Sequence, residues 1–440
     1  MKLAIVGGGG FRTPLLVGAL GRVPGVAEVV LHDVSEDRLA RVAAVLRASA
    51  PTPFRVGTSV DRDRALDGAD AVLVAIRPGG MEARIVDEAV PIELGVLGQE
   101  TVGPGGIAFA LRTIPAMRDL AEAIERLAPT AWVLNFTNPV GIVTGAVRDV
   151  LGGRIVGICD SPTALCARVA LALGPSTDAI FDYTGLNHLG WIVGLHDERG
   201  RDLLEPLLAD DARLAQIEEA VALGFERVRA LGALPNEYLL YLERSARIVE
   251  ELRARGIGRA EEVSSQQRGF FAMPLGSGRA LRDAWRAALD RRNATYLSEA
   301  RSDDPASPAH AGPGEEGYAA VAVDFLAAVR SGSPTRLILD TANGGRLAGI
   351  DDDEVVEVSC DVDRDGVRAV PGAPLPAEAA ELVARIKEVE RLTIRAAATG
   401  SAALALDAIA AHPLVPSRDV ATRILRGYLE RLPSLREAIA

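Results

Sequence analysis

Four consecutive glycines, Gly7 to Gly10, follow the apolar run Leu3–Val6 and lead into "FRTPLL", a helical start with Pro14 in its first turn. Glycines between a strand and a helix remove the Cβ atoms that would block a pyrophosphate, whose charge is then met by free N–H groups at the helix start. Gly7, Gly9 and Gly10 suit that task, and Asp33 ends the next strand-like run, "EVVLHDV". A carboxylate there accepts the ribose hydroxyls of NAD and repels the 2′-phosphate of NADP. Arg12 stands where the usual pattern has its third glycine, so the loop departs from the simple motif while keeping the strand before it and the helix after it. The plainer alternative is a tight turn that binds nothing.

Apolar strands and helical segments then alternate through "SEDRLARVAAVLRAS", "ADAVLVAI", a long Gly-rich loop, "IAFALRTIPAMRDLAEAIERLA", "AWVLNF" and "GRIVGIC". This alternation predicts βαβ units with helices on both faces of a parallel sheet, a doubly wound Rossmann-type α/β domain over residues 1–160. From Ser161 onward the pattern loosens into long helices and strands such as "LILDT" and "EVVEVSCDV", predicting an α+β second domain over residues 161–440. The stretch "SDDPASPAHAGPGEEG", from Ser302 to Gly317, lacks an apolar period and reads as a mobile loop.

A chain of 440 residues exceeds what one hydrophobic core serves, which supports two domains. The net charge of -12 gives the surface no general attraction for nucleic acid or anionic membranes, so a small-molecule partner is expected. The absence of a long apolar run, a chain opening directly on a strand, and only three cysteines (Cys159, Cys166 and Cys360) together predict a cytoplasmic protein without disulfides. Lys2 and Lys387 are the only lysines and neither sits in a motif, which leaves Schiff-base and P-loop lysine chemistry without a residue.

Two further stretches carry chemistry. "VGICDSP" sets Cys159 and Asp160 just beyond a strand, at the carboxyl edge where open α/β sheets hold ligands. "DYTGLNHLGWIVGL" sets Asn187 and His188 between two strand-like runs, with Gly185 and Gly190 on either side. A thiolate and an imidazole form a soft pair for a divalent transition metal and leave coordination positions for substrate oxygens. Each residue alone has a duller reading, a small buried thiol or a hydrogen-bonded histidine, and spacing does not join them.

Together with "GGGGFRTP", "IRPGGMEARIVDE", "GVLGQETVGPGGIAFALRTIP", "LNFTNPVGIVT", "NEYLLY", "GRAEEV" and "ERLTIRAAATGSAALALDAIAAHPLVPS", these stretches resemble glycoside hydrolase family 4, the NAD- and metal-dependent glycosidases, from Lys2 to about Pro416. The resemblance implies NAD held by Gly7, Gly8, Gly9, Gly10, Phe11, Arg12, Asp33 and Arg77, and Mn2+ or another divalent transition metal held by Cys159 and His188. It implies Tyr238 as the catalytic base, with Tyr241 as second choice, Glu100 near the metal and base, and Asp160 as proton donor to the leaving group. Asn138 and Asn187 are implied to hold substrate hydroxyls, and Arg84 and Arg259 a sugar 6-phosphate. The implied reaction oxidises the sugar at C3, removes the C2 proton, expels the C1 substituent, adds water and returns the hydride. A second domain of the lactate and malate dehydrogenase type and a homodimer or homotetramer are implied as well.

Asp160 matches members acting on 6-phospho-α-glucosides, whereas the "GQET" region and the carboxyl-terminal helices look more like those acting on 6-phospho-β-glucosides, the anomer expected here. Leu242 replaces the last tyrosine of the "YLxYY"-like segment, and "SSQQRGFFAMPLGSGRALR", from Ser264 to Arg282, has no counterpart in the family pattern. Both departures put the 6-phosphate itself in question, leaving an unphosphorylated glycoside open. The runner-up is an NAD-dependent dehydrogenase of 2-hydroxy acids, and a redox-sensing module without catalysis comes third.

Overall fold

The structure, a computed structural model, describes residues 1–174, 178–295 and 317–439. The chain begins with β1 (Lys2–Val6), β2 (Glu28–His32), β3 (Arg55–Ser59), β4 (Ala71–Val74), β5 (Trp132–Asn135) and β6 (Ile155–Gly157), all parallel, in the order β3-β2-β1-β4-β5-β6. Residue alternation along β1 builds two cores at once. Leu3 and Ile5 pack with Leu16, Val17 and Leu20 of the helix Thr13–Leu20, while Ala4 and Val6 pack with Met117, Leu120 and Ile124 of the helix Pro104–Leu127. Burial on both faces is why this strand reads as a continuous apolar run.

The sheet does not stop at β6. It continues through β10 (Thr335–Ala342) and β11 (Val355–Asp363) to β7 (Ala179–Leu186), β8 (Leu189–Asp197) and β9 (Leu234–Pro235), with β12 (Gly366–Ala369) paired to β11. The joint is antiparallel, with Asp340 of β10 opposite Gly157 of β6 and Glu357 of β11 opposite Asp340. A doubly wound parallel half followed by antiparallel strands and long helices is the α/β plus α+β architecture expected from the sequence. No helix among the described residues is long and apolar enough to cross a membrane.

Two local expectations fail. β3 was not anticipated, because "RVGTS" is a half-exposed edge strand without an apolar run. The Gly-rich segment after β4 is largely a helix, Gly80–Glu93, entered through Gly79 and Gly80 at φ of 83° and 63°. Its buried face carries Arg84, Asp87 and Glu88 beside Ala83, Val90 and Pro91, so charge disguises the apolar period. The stretch read as a mobile loop lies outside the described residues, except for Gly317, which opens the helix Gly317–Ser331.

Asp87 shows what those buried charges do. Its two carboxylate oxygens accept from Arg112 of the helix Pro104–Leu127 at 2.8 and 2.6 Å, and its carbonyl accepts from Tyr428 Oη at 2.9 Å. Burial raises its carboxyl, and the Arg112 guanidinium pulls it back. Breaking a buried pair strands its partner, at a cost of about 3–5 kcal/mol. Asp87→Ala should therefore lower the unfolding free energy measured in urea by that order, whereas a loss under about 1 kcal/mol would show that Arg112 finds other partners.

Candidate active site

The glycine loop is shaped by close approach. Gly7 has φ +88°, and a Cβ there would lie 2.2 Å from the Ala75 carbonyl oxygen beyond β4. Gly9 donates to Asp33 Oδ2 at 3.0 Å and a Cβ there would meet the same oxygen at 2.8 Å, while Asp33 Oδ1 accepts from Ser35 N–H at 3.0 Å. Asp33 thus both braces the loop and stands beside it at the end of β2, as a ribose-binding acid must. Phe11 is buried against Phe270, Phe271 and Trp285, and its carbonyl accepts from Trp285 Nε1 at 2.8 Å. Arg12, at the start of the first helix, reaches Asp160 Oδ2 at 3.4 Å.

The hairpin β7–β8 pairs Leu186 with Leu189, so Asn187 and His188 form its turn. His188 has φ +63°, the one non-glycine residue with positive φ among those described. Such a conformation costs of order 1 kcal/mol and persists where surroundings hold it. Here the ring stacks on Tyr238 with centroids 3.8 Å apart and planes 2° from parallel, and its Nδ1 lies 2.6 Å from Thr101 Oγ1. Burial lowers the imidazole to about 4 against the opposing pull of Asp160 and Glu100, so the ring is neutral at physiological pH.

Cys159 is buried, its thiol pushed up by burial and by Glu357 and Asp160. Asn187 donates from Nδ2 to Glu357 Oε1 at 3.2 Å, and Tyr183 Oη donates to Glu357 Oε2 at 3.1 Å. The charges that act on Cys159 and His188 are therefore shared: Asp160 acts on both, and Glu357 links Cys159 to Asn187. The cleft between these elements is lined by Thr101, Pro139, Gly141, Asn187, His188 and Leu242, together with Glu390 and His412 from the carboxyl-terminal helices. Asn138 is half-buried next to Pro139, and Tyr241 lies 5.6 Å from Tyr238, ring to ring.

Glu100 is held between Arg77 and Arg84, the latter at 3.0 Å. Burial would raise its carboxyl, but the two guanidiniums more than offset that and bring it down to about 2. Arg84 also donates to Glu88 Oε1 at 2.8 Å, and Glu88 Oε2 accepts from Ala260 N–H at 2.8 Å at the start of the helix Arg259–Ala272. Arg259 points elsewhere, to Glu262 at 2.6 Å and Thr295 Oγ1 at 2.8 Å. The structure links His188 to Tyr238 by stacking and to Asp160 and Glu100 electrostatically, and Cys159 to Asp160 and to the Glu357 that Asn187 bonds. Arg84 and Arg259 share no partner among the described residues, Glu88 joining Arg84 to the Ala260 N–H while Arg259 turns to Glu262 and Thr295.

Sequence reasoning missed Thr101, Gln99, Glu357, Glu390 and His412. Glu357 left a trace, since it is a lone acid facing the interior of the otherwise apolar run "VVEVSC".

A metal ion fits this chemistry. A neutral imidazole and a thiol opposed by carboxylates are ligands that a dication would stabilise as lone-pair donor and thiolate. Among the described residues no group of three or more His, Cys, Asp or Glu is arranged to hold an ion.

Fold and site define a dinucleotide-type α/β enzyme with a cleft lined by Asn187 and His188 beside its sheet. Residues 2–174 match the family 4 glycosyl hydrolase model and residues 183–415 match the family 4 glycosyl hydrolase C-terminal domain. The chain belongs to this family and is a glycosidase. A relative from Bacillus subtilis (strain 168), described as a "probable 6-phospho-beta-glucosidase", is 32% identical over 98% of this chain and 96% of its own. A 6-phospho-alpha-glucosidase from Leptotrichia buccalis is 29% identical over 98% of this chain and 97% of its own. A 6-phospho-beta glucosidase from Thermotoga maritima, solved with manganese, NAD+ and glucose-6-phosphate, superposes with a TM-score of 0.82 at 25% identity, covering 100% of this chain and 99% of that one. A lactate dehydrogenase from a deep-sea metagenome shares the fold alone, with a TM-score of 0.51 at 14% identity over 90% of this chain and 98% of that one.

Burial raises the Glu357 carboxyl to about 8, against the lowering effect of Asn187 and Tyr183, so in the folded protein it holds a proton that the unfolded chain releases near the ordinary carboxylate value of 4.5. Between those values the folded state binds more protons, and this group's contribution to stability falls as pH rises. Glu357→Gln, which keeps the shape of the protonated form, should gain stability relative to the native metal-free protein progressively from about pH 4.5 to 8. Denaturation of both proteins across that range checks it; a pH-independent difference would mean that Glu357 is ionised in the fold.

Proposed function

We propose that this glycosidase hydrolyses a 6-phospho-β-glucoside, using bound NAD and Mn2+. The observation that carries the reading is that Asn187 and His188 line one cleft, His188 stacks on Tyr238, and Asp160 acts on both His188 and Cys159 while reaching Arg12 of the glycine loop. When bound, NAD accepts a hydride from the sugar and the divalent cation withdraws charge from sugar oxygens as a Lewis acid. Gly7, Gly8, Gly9, Gly10, Phe11, Arg12 and Arg77 would hold the dinucleotide, with Asp33 on its ribose. Cys159 and His188 would hold the cation. Tyr238 Oη takes the proton from C2, its ring fixed by the stack on His188, and Asn138 and Asn187 orient the hydroxyls. The leaving group then departs from C1 by elimination, water adds in its place, and return of the hydride restores the C3 hydroxyl, so that no NADH accumulates.

The phosphate reading rests on three guanidiniums around Glu100, with Arg259 nearby by its backbone and its own guanidinium turned to Glu262 and Thr295. Arg77, Arg84 and Arg292 act on Glu100, and Arg259 lies at the start of the adjoining helix. Relatives acting on either anomer support a 6-phospho-glucoside, and the higher identity to a β-type relative supports the β anomer. Asp160 favours the second reading, a 6-phospho-α-glucosidase, because a carboxyl beside Cys159 can protonate the leaving oxygen.

The expected outcome with p-nitrophenyl glucosides and their 6-phosphates is turnover of the 6-phospho-β compound, no net NADH, loss with EDTA and rescue by Mn2+. Stoichiometric NADH release insensitive to EDTA would instead identify a dehydrogenase. Exchange of the C2 proton with deuterated water should fall at least tenfold, about 1.4 kcal/mol, in Tyr238→Phe, and unchanged exchange would move the base to Tyr241. Arg84→Ala should raise KM for the phosphorylated substrate more than for the unphosphorylated one, and equal effects would argue against phosphate recognition.

A further inference from the structure

We infer that Thr101, backed by Gln99, is a positioning residue that fixes the tautomer of His188 and so presents its Nε2 lone pair to the metal. The inference rests on the reading of His188 as a metal ligand. Its starting point is the side-chain oxygen of Gln99, which accepts from Thr101 N–H at 2.6 Å and from Val102 N–H at 2.9 Å. Two backbone donors aimed at one atom identify it as the amide oxygen, which can only accept. That oxygen also lies 3.0 Å from the Thr101 hydroxyl, so the hydroxyl must donate to it, since two oxygen lone pairs would otherwise face each other.

The Thr101 hydroxyl has one proton, and Gln99 receives it. What it offers His188 at 2.6 Å is therefore a lone pair, and Nδ1 must carry the ring proton to fill that contact. A neutral imidazole protonated on Nδ1 has its remaining lone pair on Nε2. No hydrogen bond to Nε2 is present among the described residues, and the stack on Tyr238 sets the plane in which that lone pair points. The motif "GQET" thereby acquires two distinct tasks: Glu100 anchors the loop to Arg77 and Arg84, while its neighbours on either side aim the histidine.

Binding of Mn2+ to the NAD-loaded protein, measured by titration calorimetry, tests this. Thr101→Val keeps the side-chain shape and removes the acceptor, and should weaken Mn2+ binding about 10- to 100-fold. Thr101→Ser, which restores the hydroxyl, should return it to within about threefold, and NAD affinity should be unchanged in both. Mn2+ binding by Thr101→Val within about twofold of native would overturn the inference. Native-like binding by His188→Ala would instead defeat the metal-site reading itself. Independently of any variant, nitrogen NMR of the metal-free native protein labelled at its histidines should show His188 protonated on Nδ1, and a proton on Nε2 would overturn the inference.

Discussion

A carboxylate taken out of water must find compensating charge, and Glu100 finds it twice over in Arg77 and Arg84. Much of the site hangs from this clamp. Arg77 follows β4, Arg84 lies on the helix Gly80–Glu93, and Glu88 one turn further on accepts from the Ala260 N–H in the first turn of the helix Arg259–Ala272. A chain of ion pairs therefore runs from the end of the parallel sheet, through the loop that touches His188, to Glu88, whose hydrogen bond to the Ala260 N–H joins it to a helix far later in the sequence. Because the chain is buried, losing one member leaves its neighbour charged and dry, which makes the arrangement cooperative rather than a sum of weak surface pairs.

The segment from Ser264 to Arg282, outside the short motifs quoted above though within the matched C-terminal domain, packs against the glycine loop. Phe270 and Phe271 close over Phe11, Trp285 of the next helix donates to the Phe11 carbonyl, and Arg282 donates to the Ala48 carbonyl at 2.8 Å. Arg38, at the start of the helix after Asp33, lies over the Phe271 ring at 4.1 Å. These contacts are largely aromatic and apolar, so they exclude water beside the glycine loop and stiffen Phe11, the residue on which the loop turns into its helix.

A second group of buried acids lies where the two halves of the sheet meet. Asp340 and Glu357 sit opposite one another on β10 and β11, with Glu390 and Lys387 nearby and Asn187 bonded to Glu357. Burial and mutual repulsion push Asp340 and Glu357 toward their protonated forms. The turn carrying Asn187 and His188 is thus tethered to the joint between the parallel and antiparallel strands, and the hairpin cannot shift without disturbing both.

The amino-acid sequence by itself determined the parallel half of the sheet, because Leu3–Val6 and the runs like it are buried on both faces and have no reading other than interior strands. It determined the glycine loop and Asp33 for a similar reason: only residues without a Cβ fit where Gly7 meets the Ala75 carbonyl. It also marked Cys159 and His188 as unusual, and the order of the family motifs joined them. What it hid was wherever charge replaced apolar pattern, as on the buried face of Gly80–Glu93, or where meaning depends on a partner far along the chain. Glu357 beside Asn187, and Arg84 drawn to Glu100 and Glu88, are such cases. Which nitrogen of His188 is protonated depends on Thr101 and Gln99, and a hydrogen-bond direction is set by three atoms meeting in space, a fact that only the tertiary structure decides.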